Sequence, residues 1–244
     1  MTPEPPDYGP RARVGIAVPH SNPTVEPEVR ALVPAAIGVY ATRLTHPATR
    51  VEERLNHYVR HMPAAIRTFG EMTLAAFGFG CTGSSYMAGM ALEEQRTAAA
   101  AAEGRIPVIT AAQAIRLALK SLGCNSIALV SPYPAELAEA GYRYWADAGI
   151  RVVARLRVDP ALTDTHRIYE LTSADALAAL RKIDRSGADC LLASGTGMPT
   201  LRALRILHSE SSLPALSSNL SLAWALTRVA APELVPATPA GLLG

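Results

Sequence analysis

Short apolar runs alternate with amphipathic stretches along nearly the whole chain. Compact runs rich in Val, Ile, Leu and Ala, bounded by small or turn-forming residues, read as buried strands. Apolar positions recurring at three- and four-residue spacing read as helices. The pattern predicts strands over 13–18, 38–44, 74–79, 107–110, 126–130, 151–156, 188–193 and 214–216. Helices are predicted from the Pro23 turn to about Val33 and over 51–69, 90–103, 111–122, 135–148, 173–184, 201–208 and 220–229, with a short one after Thr163-Asp164-Thr165-His166. Pro63 weakens the helix over 51–69. Asn22 or Ser21 suits the cap of the first helix, and Glu26 and Glu28 lie near the positive end of its dipole.

Strand–helix alternation implies a parallel α/β fold, and the alternation repeats. The strand–turn–helix at 14–33 is echoed at 126–148, and Gly80-Cys81-Thr82-Gly83 is echoed by Ser194-Gly195-Thr196-Gly197, at offsets of about 112 and 114 positions. The expectation is two Rossmann-like parallel-sheet halves related by pseudo-two-fold symmetry, with the site in the cleft between them. The first half is 10–111 plus 217–235, the second is 112–216, and 1–9 and 236–244 are flexible tails. Four loops then converge, 19–24, 81–86, 131–134 and 194–199, and ligands favour such clefts.

Composition narrows the function classes. A chain of 244 residues, 49% hydrophobic, can build a sizeable core, and a net charge of +2 without a basic, aromatic-interleaved stripe argues against nucleic acid. No apolar run approaches the roughly 20 residues of a membrane span. The Pro-rich, acidic start lacks a signal-peptide core. Three widely spaced cysteines without zinc spacing fit a reducing cytoplasm. Apolar helix surface such as 90–103 is compatible with a homodimer. After the first strand stands PHSNPT rather than G-x-G-x-x-G, which argues against a dinucleotide site.

The chemistry concentrates in one stretch, LAAFGFGCTGSSYMAG at 74–89. A buried strand breaks into a loop of small polar residues with a thiol at its head, followed by a helix start: the parts of a nucleophile beside an anion cradle. The plainer reading is a small buried cysteine. Thr82, Gly83 and Ser84 offer hydroxyls and N–H groups to a carboxylate or enediolate. Tyr133 occupies the matching turn of the second half, and Thr196 and Gly197 mirror Thr82 and Gly83. Asn22 binds a carboxylate or caps its helix, Tyr133 donates its phenol or packs its ring, and Thr196 serves the site or its own backbone. No Lys or Arg lies in either cradle loop, so the anion is expected to meet neutral donors. A helix N-terminus is expected to lower the Cys81 pKa. His20 and His166 lie on candidate cleft loops, although exposed histidine is the common case. Cys124 and Cys190 read as packing residues.

Six segments in order, VGIAVPHSNPTVEPE, GFGCTGSS, PVITAAQAI, IALVSPYPAEL, LLASGTGMPTL and PALSSNLSLAWAL, resemble the maleate isomerase and arylmalonate decarboxylase group of the aspartate/glutamate racemase superfamily. The likeness runs from about Arg13 to Val229. It implies the duplicated fold, a small carboxylate or dicarboxylate substrate, catalysis by cysteine, and neither cofactor nor metal. In that group the two equivalent loops each can carry a cysteine, on opposite faces of the substrate. Racemases and maleate isomerases carry both; arylmalonate decarboxylases carry the second. This chain carries the first, Cys81, and has Gly195 at the second. Thr165 falls near an Asn that binds carboxylate in maleate isomerases. The resemblance therefore implies a maleate isomerase-like enzyme working through one thiol. The alternatives are an arylmalonate decarboxylase-like enzyme with Cys81 as proton donor, or a non-catalytic carboxylate binder. A conventional two-cysteine racemase is not expected.

Overall fold

The computed structural model describes residues 6–244. Among the described residues, eight strands form two sheets, all neighbours parallel. In the first, β1 (Ala12–Pro19), β2 (Ile37–Leu44), β3 (Ala76–Phe79) and β4 (Val108–Thr110) lie in the order β2-β1-β3-β4. In the second, β5 (Ser126–Ser131), β6 (Arg151–Arg157), β7 (Cys190–Ala193) and β8 (Ala215–Ser217) lie in the order β6-β5-β7-β8. The two orders are identical once four is added to each strand number. β3, β5 and β7 are buried along their whole length, which is why they read as continuous apolar runs. The edge strand β6 instead alternates exposed and half-buried residues.

The helices are α1 (Val25–Leu32), α2 (Val51–Arg60), α3 (Met62–Arg67), α4 (Thr82–Ala88), α5 (Met90–Gly104), α6 (Ala111–Ser121), α7 (Ala135–Asp147), α8 (Ser173–Lys182), α9 (Leu201–Glu210) and α10 (Ser218–Ala230). Thr110 with Gln113 and Thr172 with Asp175 form capping boxes that start α6 and α8. The cap of α8 is thus Thr172, one residue before the expected helix start. α10 packs against α6, α1 and β3, so the last helix returns to the first sheet.

Three expectations are corrected. The helix over 51–69 is two helices: His61 leaves helical geometry, and Pro63, which lacks the N–H an interior position needs, sits in the first turn of α3. The loop 82–85 is the first turn of α4, so Cys81 occupies an N-cap. The segment 236–244 is docked. The Trp224 indole donates to the Pro236 carbonyl at 3.0 Å, Arg205 Nε donates to the Leu243 carbonyl at 2.7 Å, and Leu243 is buried. Of the expected N-terminal tail, 1–5 lies outside the described residues and 6–8 is exposed.

Hydrogen bonds stitch the carboxyl ends of the two sheets together. Thr196 Oγ1 donates to the Gly80 carbonyl at 2.9 Å, and Thr24 Oγ1 to the Gly197 carbonyl at 2.9 Å. Glu28 of α1 reaches the start of α9, accepting from the Thr200 and Leu201 N–H groups at 2.6 and 2.7 Å and from the Thr200 hydroxyl at 3.0 Å. Its other partner is Asn219 Nδ2 at 2.8 Å. A carboxylate there satisfies N–H groups that α9 cannot pair internally. Tyr86 of α4 pairs its hydroxyl with Ser194 Oγ at 2.7 Å while accepting from the Trp145 indole at 2.8 Å.

Candidate active site

Cys81 follows the end of β3 and precedes α4, so both strand and helix fix its backbone. Its side chain is buried, and the Ser84 hydroxyl, one helical turn on, donates to Sγ at 3.1 Å. Burial pushes the thiol up from its ordinary value. Hydrogen bonds from the Ser84 hydroxyl and N–H, the positive charge of Arg54 and the Gly83 N–H pull the other way without overcoming it. The expectation that the helix start leaves a lowered pKa is therefore reversed, because desolvation of a thiolate at this depth outweighs a few donors. At neutral pH Cys81 rests as a thiol.

The thiol faces a cavity of about 540 Å³, mouth included, between the ends of the two sheets. Asn22, Cys81, Gly83, Tyr133, Thr196 and Gly197 all line it. Asn22 does two things at once. Its Oδ1 accepts from the N–H groups of Thr24 and Val25 at 2.8 and 3.3 Å, starting α1, and its Nδ2 points to Thr196 Oγ1 at 3.4 Å. The phenol of Tyr133 is buried, which raises it well above its ordinary value and keeps it a hydrogen-bond donor. Its carbonyl accepts from Arg157 Nε at 3.0 Å, which fixes the turn.

Thr82, Ser84 and Gly195 are not in the lining. The Thr82 hydroxyl donates to Ser218 Oγ at 2.9 Å, and Ser84 is spent on the thiol. Gly195 gives its N–H to the same Ser218 Oγ at 3.0 Å and has φ +101°, a backbone state that disfavours any side chain. A Cβ there would lie 2.6 Å from Pro132 Cγ and 2.9 Å from its Cδ. The second loop therefore has no room for a side chain at the position equivalent to the thiol.

Three polar lining residues were not expected: Arg54 and Tyr58 from α2, and Tyr169 from the 3₁₀ helix Thr165–Glu170. Arg54 is 9% exposed, and its Nη2 donates to Thr165 Oγ1 at 3.1 Å across the cleft. The expectation of a cradle made of neutral donors alone is thereby corrected: the cation comes from a helix, not from either loop. One signal was present in the sequence. Arg54, Leu55, Tyr58, Val59 and Met62 form the buried stripe of α2 and α3, so an arginine stood at helical spacing on an apolar face. His20 and His166 line the mouth, and His166 Nδ1 faces Asp164 Oδ1 at 3.1 Å. Cys124 and Cys190 lie outside this cavity, with Cys124 Sγ 3.4 Å from the Asp189 carbonyl.

A family model described as arylmalonate decarboxylase matches residues 14–243. Among curated proteins, a maleate isomerase of Geobacillus stearothermophilus is 23% identical over 229 residues, 88% of this chain and 90% of that protein. A maleate isomerase of Nocardia farcinica is 27% identical over 228 residues, 88% of this chain and 89% of its own. Solved structures share the fold. The maleate isomerase Iso of Pseudomonas putida S16, a Cys-to-Ala variant with maleate, superposes with a TM-score of 0.84 at 21% identity, covering 95% of this chain and 97% of that one. A Cys-to-Ser mutant of the Nocardia farcinica maleate cis-trans isomerase, carrying a covalently bound succinylcysteine intermediate, superposes at 0.83 and 24% identity, covering 95% and 98%.

Proposed function

The chain belongs to the arylmalonate decarboxylase family, and within it we propose a cofactor-independent cis–trans isomerase of the maleate type, acting on a small dicarboxylate through the one thiol of Cys81. The observation that carries the reading is the buried Cys81 thiol facing a cleft that also holds Gly83, Tyr133, Asn22 and Thr196.

The steps follow from the thiol's surroundings. The S–H adds across the carbon–carbon double bond: sulfur bonds one olefinic carbon, and the proton ends on the other. Between these events the electron pair rests in the adjacent carboxylate as an enediolate, which needs hydrogen-bond donors where charge accumulates. The Tyr133 phenol, held protonated by burial, is such a donor. Addition turns the double bond into a single bond, which rotates. After rotation, elimination removes the other hydrogen of that carbon, which returns to sulfur as the carbon–sulfur bond breaks, and releases the trans diacid and the thiol. One sulfur is enough for this cycle. A Cys-to-Ser mutant of the Nocardia relative that holds a succinylcysteine is consistent with that.

Maleate supplied to the wild-type protein is expected to yield fumarate by proton NMR, and Cys81→Ala is expected to yield none. Full turnover in Cys81→Ala would sink the thiol mechanism. A second reading has its own support: a buried, protonated thiol is suited to deliver a proton to a planar enediolate left by decarboxylation, which needs one thiol on one face. Release of CO₂ from a disubstituted malonate, with maleate unchanged, would favour it. Ligand-induced stabilisation without turnover of either acid would leave a carboxylate binder. The proposal also carries the cytoplasmic setting, the absence of nucleic-acid and membrane partners, and the homodimer expected from the sequence. Among the described residues, no helix is long and apolar enough to cross a membrane.

A further inference from the structure

Arg54 is a buried cation that the reaction steps above leave unused. It lies on α2, it lines the cavity that Cys81 faces, and it is 9% exposed. Among the described residues no ion pair includes it. Its hydrogen bonds are to neutral oxygens: Thr165 Oγ1 at 3.1 Å and the carbonyls of Ala48 and Thr49 at 3.4 and 3.5 Å. The neighbouring carboxylate, Asp164, is engaged elsewhere, its Oδ1 accepting from the His166 N–H at 2.9 Å. Asp164 feels the Arg54 charge but makes no direct ion pair with it; a buried guanidinium without such a pair is costly, and facing a cavity it leaves a place for an anion.

Such a cation differs in kind from the donors around the thiol. Tyr133 and Asn22 are neutral, which suits a carboxylate whose charge grows and recedes during reaction. A guanidinium binds a fixed charge with forked geometry. Resting on the reading of the cavity as a carboxylate site, we infer that Arg54, with Thr165 opposite, holds the second carboxylate of the substrate, the one that does not take up charge. This makes the enzyme selective for dicarboxylates over monocarboxylates of the same length. Arg54 positions the diacid from the first half of the molecule, and Thr165 from the second.

The test uses Cys81→Ala protein, so that ligands bind without reacting, with Arg54 intact or changed to Met or Lys. Affinities are measured by titration calorimetry for maleate, succinate and malonate, and for isocrotonate, butyrate and acetate. Loss of a charge-assisted hydrogen bond predicts that Arg54→Met weakens the best-bound diacid about 10- to 100-fold and the matching monoacid less than about threefold. Arg54→Lys retains the charge without the fork and falls between. Circular dichroism and the lysine variant separate this from misfolding. Equal weakening of both acid classes, no weakening, or no diacid binding to the Arg54-intact protein overturns the assignment. Failure of the functional reading looks different: wild type leaves maleate unchanged while diacid binding still depends on Arg54. Conversely, fumarate formation with an unchanged KM in Arg54→Met overturns the assignment and leaves the isomerase reading intact.

Discussion

The loop after β3 and the loop after β7 occupy equivalent places in two sheets of one strand order, and they present different things to the cleft. After β3 the chain turns directly into α4, which sets Cys81 at its N-cap and supplies Ser84 to the sulfur. After β7 the chain stays irregular until α9 begins at Leu201. There Gly195 is sealed by the Pro132 ring, Ser194 is taken by Tyr86, and a Cβ on Gly197 would meet Tyr169 Cε1 at 2.8 Å. What this second loop offers the cleft is backbone and the Thr196 hydroxyl, which itself donates to the Gly80 carbonyl of the first loop. The difference teaches that a duplicated fold need not be chemically symmetric. On our reading one half carries the reactive atom, and the other shapes the space in front of it.

The largest effect expected from breaking this comparison comes from the first loop. Cys81→Ala should lower turnover by about 10³-fold or more, as loss of a nucleophile does, with little change in melting temperature beyond a small cavity term. A fumarate assay alongside a thermal melt checks both. The complementary change is Gly195→Cys. If the two loops were interchangeable it would add a second working thiol. The left-handed backbone and the Pro132 contact predict instead a loss of about 2 kcal/mol or more in urea denaturation and no rise in turnover. A stable, more active Gly195→Cys protein would mean that the second loop is open after all.

Glu28 tests the scaffold of the second loop. It binds the start of α9 and Asn219, whose Nδ2 also donates to the Thr196 carbonyl at 3.2 Å. Glu28→Gln replaces an acceptor by a donor opposite N–H groups and should cost about 1–3 kcal/mol, with KM rising more than kcat falls. Unchanged denaturation would show that the clamp is dispensable. The smallest effect concerns pH. Because the folded Cys81 pKa lies above the unfolded value, the folded state holds the proton more tightly. Its contribution to stability is fully present below the ordinary thiol pKa, and declines as pH rises from there through the raised folded value. Denaturation free energy should fall across that alkaline window in wild type and fall less steeply in Cys81→Ala. Alkylation by iodoacetamide at pH 7 should be slower than for a free thiol.

Much of the architecture was legible because the central strands are buried on both faces and read as unbroken apolar runs, and because Gly80-Cys81-Thr82-Gly83 has its echo at Ser194. What escaped depended on contacts between distant segments. α4 starts at Thr82 although Gly83, Ser84 and Ser85 are weak helix formers; tertiary packing of Tyr86 against Tyr144 and Trp145 holds it. The tail over 236–244 looked irregular because its order comes from Trp224 and Arg205, not from local periodicity. Arg54 escaped for a related reason. Attention to the loops at strand ends finds donors that are local in sequence, whereas this cation reaches the cleft from a helix about thirty residues upstream of the thiol.

The central claim is that one thiol, on one of two equivalent loops, does the work. Its most direct test is to quench the wild-type protein during turnover of maleate and map the modified peptide by mass spectrometry. The account predicts a succinyl adduct on the peptide that carries Cys81, and none on those that carry Cys124 or Cys190. Turnover that persists in Cys81→Ala, or an adduct confined to Cys124 or Cys190, would contradict it.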